Sequence, residues 1–354
     1  NLHQGTSLWW HVQNRHKKSV TVNLRTEQGR EVARRLLRDA DILIENFRAG
    51  ALEKWGLGYD VLSADNPGLV MLRLSGFGQD GPYRDQTGFG SVGESMGGMR
   101  YVTGFPDRPP VRPNLSLGDA LAAMHGVIGA MMALHQRNAH AGEGGSQKGR
   151  GQVVDVALYE AVFNMMEGAL PEFDMFGAIR EREGTTLTGI VPSNTYPTAD
   201  GHYIVIGGNG DSIFKRLMSL VGREDLTRDP SVADNAGRVK RSGELDGAIG
   251  AWTSRHAVDE VVKALNAAQV PNGKIYTMAD VVRDPQYLAR QMVREIILKD
   301  GARLKVPGVV PKLSRTPGEE PGRGPELGEH TEEVLRSYGF AATEIANLRA
   351  AKAL

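Results

Sequence analysis

The chain has 354 residues, enough for one large core or two ordinary ones, so two domains are expected rather than a single small module. Lysine plus arginine and aspartate plus glutamate number 42 each, so no global field draws the protein to nucleic acid or to an anionic membrane, and recognition of partners must be local. The absence of cysteine excludes disulfides, thiol catalysis and thiolate metal sites, and suits a cytoplasmic location. No apolar stretch reads as long enough to span a bilayer and no signal-peptide pattern opens the chain, so a soluble protein is expected.

Ser19–Leu24 alternates like a strand, and Glu27–Asp39 places Val32, Leu36 and Leu37 on one helical face. Asp41–Asn46 is a short apolar run with polar ends, the pattern of a strand buried on both faces of a parallel sheet. Short helices over Gly50–Trp55 and Tyr59–Asp65 lead through the Asn66-Pro67-Gly68 turn to a strand at Leu69–Leu74, a βαβα order. Val92–Thr103 reads as helical despite Gly97-Gly98. A long helix then opens near Asp119, with small or apolar residues from Ala120 to Leu134.

His140–Gly151 crowds glycine with polar residues and reads as an exposed insertion, before a strand at Gly151–Ala157 and a helix at Leu158–Ala169. These elements suit a doubly wound α/β domain over residues 1–184. The texture then changes. Thr195–Ile206 reads as a hairpin turning at Asp200-Gly201, and helices at Ser212–Leu220, Val239–Trp252 and Ala257–Ala268 follow, so residues 185–306 suit a smaller α+β domain. From 307 to 354 a Pro- and Gly-rich linker precedes helices at Thr331–Tyr338 and Ala342–Ala351, expected to return to the first domain.

Asp119 is the most informative single residue. Asp is among the best N-cap residues, and a cap would satisfy orphan N–H groups of the first turn; a helix N-terminus also favours the ionised carboxylate that a nucleophile must be, so both roles are open. Asn14-Arg-His-Lys-Lys18 is either a solvated charge run or a phosphate site. Asn46-Phe47 and the glycines of Ser75-Gly-Phe-Gly-Gln-Asp-Gly-Pro82, Gly76 among them, follow strands, where open α/β sheets place ligands. Arg73, Arg100 and Arg112 are candidates either for gripping a substrate carboxylate or for ordinary ion pairing. The nine histidines show no metal-ligand spacing, so no metal is expected, and no G-x-S-x-G elbow supports a serine hydrolase.

Seven segments occur in an order that resembles class III CoA-transferases, the family of formyl-CoA transferase and carnitine CoA-transferase. They are Asn14-Arg-His-Lys-Lys-Ser19, Glu45-Asn-Phe-Arg-Ala-Gly50, Ser75–Tyr83, Ser116-Leu-Gly-Asp119, Gly149-Arg-Gly-Gln152, Tyr276-Thr-Met-Ala-Asp280 and Leu327–Glu333. The resemblance implies a Rossmann-like large domain made from both chain ends, a small inserted domain and an interlocked homodimer. It also implies an upstream strand-helix-strand unit ahead of the residues matched. Asp119 falls on the family's catalytic aspartate. Lys17 falls near the CoA phosphates, Asn46 and Phe47 beside the nucleotide, and Lys54 and Trp55 at the adenine pocket.

Thr87 and Phe89 stand where one branch of the family carries Lys and Tyr. CoA and acyl-CoA are implied as substrates, with no tightly bound cofactor; the partners implied are an acyl-CoA, with succinyl-CoA the favoured donor, and a small dicarboxylic or hydroxy acid. Racemases acting on 2-methylacyl-CoA share the fold but pair the aspartate with a histidine where this chain has Gly88-Phe89-Gly90. A non-catalytic CoA-binding homologue is the third reading.

Overall fold

The computed structural model describes residues 1–141 and 149–354; most of the glycine-rich tract expected as an insertion lies outside the described residues. The chain divides into two compact units, the first comprising Asn1–Gly97, Ser116–Met165 and Asp280–Leu354, the second Gly98–Leu115 and Met166–Ala279. The change of unit thus falls earlier in the chain than residues 184 and 306.

A three-stranded parallel sheet forms the centre of the first unit: Ile42–Glu45, Val70–Ser75 and Val153–Ala157, in that spatial order, with Leu43 opposite Met71 and Leu72 opposite Val154. The middle strand is covered on both sides, as the apolar run Leu69–Leu72 at its start requires. Met71 packs with Leu52, Leu57, Leu62 and Leu69 beneath the short helices Ala51–Lys54 and Tyr59–Asp65, and Leu72 packs with Ala122, Val156 and Ala161 on the other face. The first strand departs from expectation. Among the described residues it has a single neighbour, and Ile44 is 62% exposed, so it is not buried on both faces.

Ser19–Leu24 forms no strand. Its polar groups are taken up by the C-terminal segment: the Ser19 carbonyl accepts from the His330 N–H (2.9 Å), the Thr21 N–H donates to Thr331 Oγ1 (3.0 Å) and the Asn23 N–H donates to the Ala353 carbonyl (2.8 Å). With those partners satisfied, no ladder is needed. Thr331 is the first residue of the helix Thr331–Ser337, and its hydroxyl accepts the Thr21 N–H. The last two helices pack Leu335, Phe340 and Ile345 against Val32 of the helix Glu27–Leu37.

The helix carrying Asp119 runs from Leu117 to Ala139. Its buried residues are mostly small, Gly118, Ala122, Gly126, Ala130 and Ala133, which lets it lie close on the sheet; a Cβ on Gly126 would stand 3.0 Å from Leu72 Cδ2 and one on Gly129 2.7 Å from Val154 Cγ1. At 23 residues it is long and apolar enough to cross a bilayer by length and composition alone, which corrects the expectation that no stretch reaches that length. One face of it, however, is the cover of the sheet. The helix expected over Val92–Thr103 is two, Gly90–Met96 and Met99–Val102, because Gly98 takes φ 89° between them.

In the second unit Ser193–Pro197 and Tyr203–Gly207 form the expected antiparallel hairpin, with Gly201 at φ 79° in its turn, and Asn272–Lys274 adds a third strand. Tyr196, Ile204 and Ile206 pack with Phe214, Leu217 and Ile249 from the surrounding helices.

Candidate functional site

At the carboxyl ends of the parallel strands, where an open α/β sheet leaves its crevice, the first unit holds a cavity of about 330 Å³. Three segments wall it. Asn46, Phe47 and Arg48 follow the edge strand; Ser75 ends the middle strand and Gly76 follows it; Arg84 to Phe89 form the loop before the helix Gly90–Met96. The start of the Asp119 helix closes it, with Asp119, Ala122 and Ala123 facing the space.

Two glycines make the walls meet. A Cβ on Gly76 would lie 2.7 Å from the Gly88 Cα, and one on Gly88 2.8 Å from the Gly76 Cα, so the two backbones touch where no side chain fits. Gly78, at φ 90°, turns the chain and donates its N–H to Ser75 Oγ (2.9 Å), while the Gln79 N–H donates to Asp155 Oδ2 (2.9 Å), which ties the loop to the third strand. Burial pushes the Asp155 carboxyl upward in pKa, only partly offset by that bond.

Behind the first wall lies an ion triad. Arg73, 6% exposed on the middle strand, donates through Nε to Glu45 Oε1 (2.6 Å) and through both terminal nitrogens to Glu53 (2.6 and 3.2 Å). Glu45 Oε2 in turn accepts the Phe47 N–H (2.7 Å), so the triad sets the backbone at the point where it enters the cavity wall. Arg73 is therefore committed to structure and is not a carboxylate-gripping residue. Arg100 and Arg112 line no part of the cavity either.

Asp119 is not the N-cap. Ser116 holds that position and Asp119 is the third helical residue, in the first turn but clear of the cap. It is the one carboxylate lining this cavity among the described residues. The structure brings Asp119, Asn46, Phe47, Gly76 and Phe89 to the same space. Trp55 stands one layer back, its ring edge-on to Phe47 at 5.1 Å between centroids. Lys54 lies at the end of its helix, away from the lining, and Lys17 is exposed, bonded to Asn14 Oδ1 at 3.3 Å. The rest of that basic cluster serves the fold: His16 Nε2 meets the Glu320 carbonyl (2.7 Å) and Lys18 pairs with Glu333 (2.6 Å). Gly151 of the Gly149-Arg-Gly-Gln152 segment is also structural, since a Cβ there would collide with the Leu69 carbonyl.

Arg48, Arg84 and Gln86 line the cavity without having been singled out from sequence. Arg48 Nη2 donates to Thr87 Oγ1 (3.1 Å), a bond that joins two walls. The signal for Arg48 lay in its own segment, Glu45–Gly50; Arg84 and Gln86 sit in a loop whose composition carries none. His125 does not face the cavity: its Nδ1 meets the Leu121 carbonyl (2.8 Å) and its Nε2 the Asn164 amide (3.0 Å). The cavity thus offers, among the described residues, one carboxylate that can act as a nucleophile, two guanidinium groups for anionic ligands and two aromatic rings, those of Phe47 and Phe89.

The model of "CoA-transferase family III" matches residues 1–331. The chain is 46% identical over 353 residues to succinyl-CoA–D-citramalate CoA-transferase of Chloroflexus aurantiacus, covering 99% of this chain and 86% of that protein. It is 38% identical to the succinyl-CoA–L-malate CoA-transferase beta subunit of the same organism, over 99% of this chain and 86% of the relative. Among solved structures, a CAIB/BAIF family protein from Brucella suis superposes with a TM-score of 0.79 at 32% identity, over 95% of this chain and 86% of that one. A mixed α/β chain with a parallel sheet, matched along nearly its whole length by enzymes named for one reaction class, belongs to CoA-transferase family III.

Proposed function

We propose that the protein moves CoA from succinyl-CoA to a small dicarboxylic or hydroxy acid, with the Asp119 carboxylate as covalent acceptor. The observation that carries this reading is the seat of Asp119 as the one carboxylate in a cavity that also holds Arg48 and Arg84. A relative named for D-citramalate and another for L-malate support the choice of acid.

The Asp119 oxygen attacks the succinyl thioester carbonyl, the C–S bond breaks, and CoA leaves as thiolate from a mixed anhydride. The thiolate attacks the aspartyl carbonyl, the anhydride C–O bond breaks, and succinate departs from an aspartyl-CoA thioester. The acceptor carboxylate then attacks the aspartyl carbonyl of that thioester, the C–S bond breaks to give a second mixed anhydride and free thiolate, and the thiolate attacks the acceptor's acyl carbon, where the anhydride C–O bond breaks and releases the Asp119 carboxylate. Thioester energy is conserved throughout, because each step exchanges one activated acyl bond for another. A backbone N–H at the helix start, other than that of Gly118, which Glu94 holds, would stabilise the oxyanions. Asn46, Phe47, Gly76 and Phe89 would hold the acyl-CoA near its thioester, Trp55 would brace Phe47, and Lys17 and Lys54 are assigned to the nucleotide end on their sequence match. We assign the first unit to the Rossmann-like large domain of the family.

A racemase would need a second base on the opposite side of the substrate carbon. Phe89, where the racemases carry histidine, has no titratable group, and no histidine lines the cavity among the described residues. Incubation with succinyl-CoA and hydroxylamine is expected to leave a hydroxamate on the peptide containing Asp119, read by mass spectrometry. An unmodified Asp119 with exchange of the α-proton into deuterated water would overturn transfer in favour of racemisation.

The second copy of the proposed homodimer would cover the outer face of the Asp119 helix. Met124, Val127, Ile128, Met131 and Met132 are each more than half exposed there, a contiguous apolar stripe of the kind that marks an interface. Sedimentation equilibrium should give a dimer mass, and Met131→Asp should shift it toward monomer. A monodisperse monomer for the unaltered chain would refute the assignment.

A further inference from the structure

The first turn of the Asp119 helix lacks its usual cap, since the Ser116 side chain makes no capping bond. An orphan donor of that turn, the Gly118 N–H, is satisfied from a different helix: Glu94 Oε1 accepts it at 3.2 Å, from a side chain only 1% exposed. The two helices can approach this closely because both are glycine at the contact. A Cβ on Gly118 would stand 2.8 Å from the Gly90 carbonyl oxygen, and one on Gly90 only 2.6 Å from Asp119 Cγ. The Asp119 carboxylate therefore rests on the bare backbone of Gly90, while the residue before it is held by Glu94.

We infer that Glu94 and Gly90 are positioning residues for Asp119: Glu94 fixes the turn that presents the carboxylate, and Gly90 leaves the space in which it sits. The inference rests on the reading of Asp119 as the nucleophile. A carboxylate that must attack a thioester, and then be attacked itself, needs one orientation held through both steps.

Gly90→Ala isolates the effect. Gly90 opens its helix outside the left-handed region, so Ala fits the backbone, and the crowding falls on the flexible Asp119 side chain; the variant should still fold, as its melting temperature will show. The added methyl occupies the carboxylate's seat, and the flexible end of Asp119 must turn away. The expected result is a loss of about a hundredfold in kcat, the scale of a misplaced reacting group, with KM for succinyl-CoA unchanged and hydroxamate formation slowed in parallel. Glu94→Leu should lose kcat similarly, and Glu94→Gln, which keeps an acceptor oxygen for Gly118, should restore most of it.

A folded Gly90→Ala with wild-type kcat overturns the inference, as does a variant whose whole defect lies in KM, since that would mark simple obstruction of the cavity. Should Glu94→Leu fail to fold, Gly90→Ala still decides. Asp119→Asn separates this inference from the reading beneath it. Transfer persisting in Asp119→Asn refutes the nucleophile; transfer lost in Asp119→Asn but intact in Gly90→Ala refutes only the seat.

Discussion

Asp119→Asn is expected to reduce CoA transfer by a factor on the order of 10⁶, the cost of removing a covalent nucleophile, while changing the unfolding free energy by less than about 1 kcal/mol. The two halves of that result have separate causes. Asn matches Asp in volume, so it fits the space above Gly90, where only about 2.6 Å separates Asp119 Cγ from the site of an added Cβ. As the third residue of the helix, Asp119 contributes a charge–dipole term and no cap, and Asn forfeits only that term. The amide nitrogen, by contrast, has its lone pair delocalised into the carbonyl and cannot attack a thioester. The measurements are succinyl-CoA-dependent CoA transfer to L-malate and a urea unfolding curve on the same preparation. Activity creeping upward on storage would report hydrolysis of the amide back to carboxylate, and Asp119→Ala controls for it. Near-normal turnover in Asp119→Ala would sink the covalent reading.

Much of the scaffold is legible in the sequence because its signals are local. The apolar run of Val70–Ser75 between a turn and a glycine loop, and Asp200-Gly201 between two β-rich stretches, each carry their own structure. The segment Ser19–Leu24 alternates in the same manner and still forms no strand, because its partners are Thr331 and Ala353 at the far end of the chain. Asp119 shows the finer limit. A carboxylate at the N-cap and one in the first turn are both favoured by the same unsatisfied N–H groups, so composition does not tell the two apart. The cavity is half legible. Asn46, Phe47 and Gly76 follow strands and so announce themselves, whereas Glu94 and Gly90 matter only because two helices cross there. Arg73 is the opposite case: an arginine in a buried strand advertises a ligand, and only its partners 28 and 20 residues away reveal a structural charge.

Those partners make Arg73→Ala the substitution with the largest expected effect on stability, a loss of about 3–5 kcal/mol, the cost of leaving a buried charge uncompensated. The loss arises at Glu45, whose side chain is 2% exposed; Glu53, with 45% of its side chain in solvent, can rehydrate. Replacing Arg73 with Met and Glu45 with Leu together should recover most of it, because apolar residues of similar volume remove both desolvation costs. The pH dependence of stability should flatten as well. The hydrogen bond from Arg73 holds the Glu53 carboxyl below its ordinary value of 4.5, so its contribution is complete above that pH and is lost as pH falls through the lowered value. Arg73→Ala removes that contribution, and its stability should therefore fall less steeply than the wild type's on acidification below pH 4.5, from a lower starting point. The effect on turnover should follow from Glu45 Oε2, which fixes the Phe47 N–H at the cavity wall: KM for succinyl-CoA should rise in Arg73→Ala even where the protein is fully folded. Urea unfolding at pH 7 and pH 4, with steady-state kinetics at low temperature, tests all of this. A stability cost below about 1 kcal/mol would mean that Glu45 reaches water once its partner is gone, and that the triad is not what holds the wall.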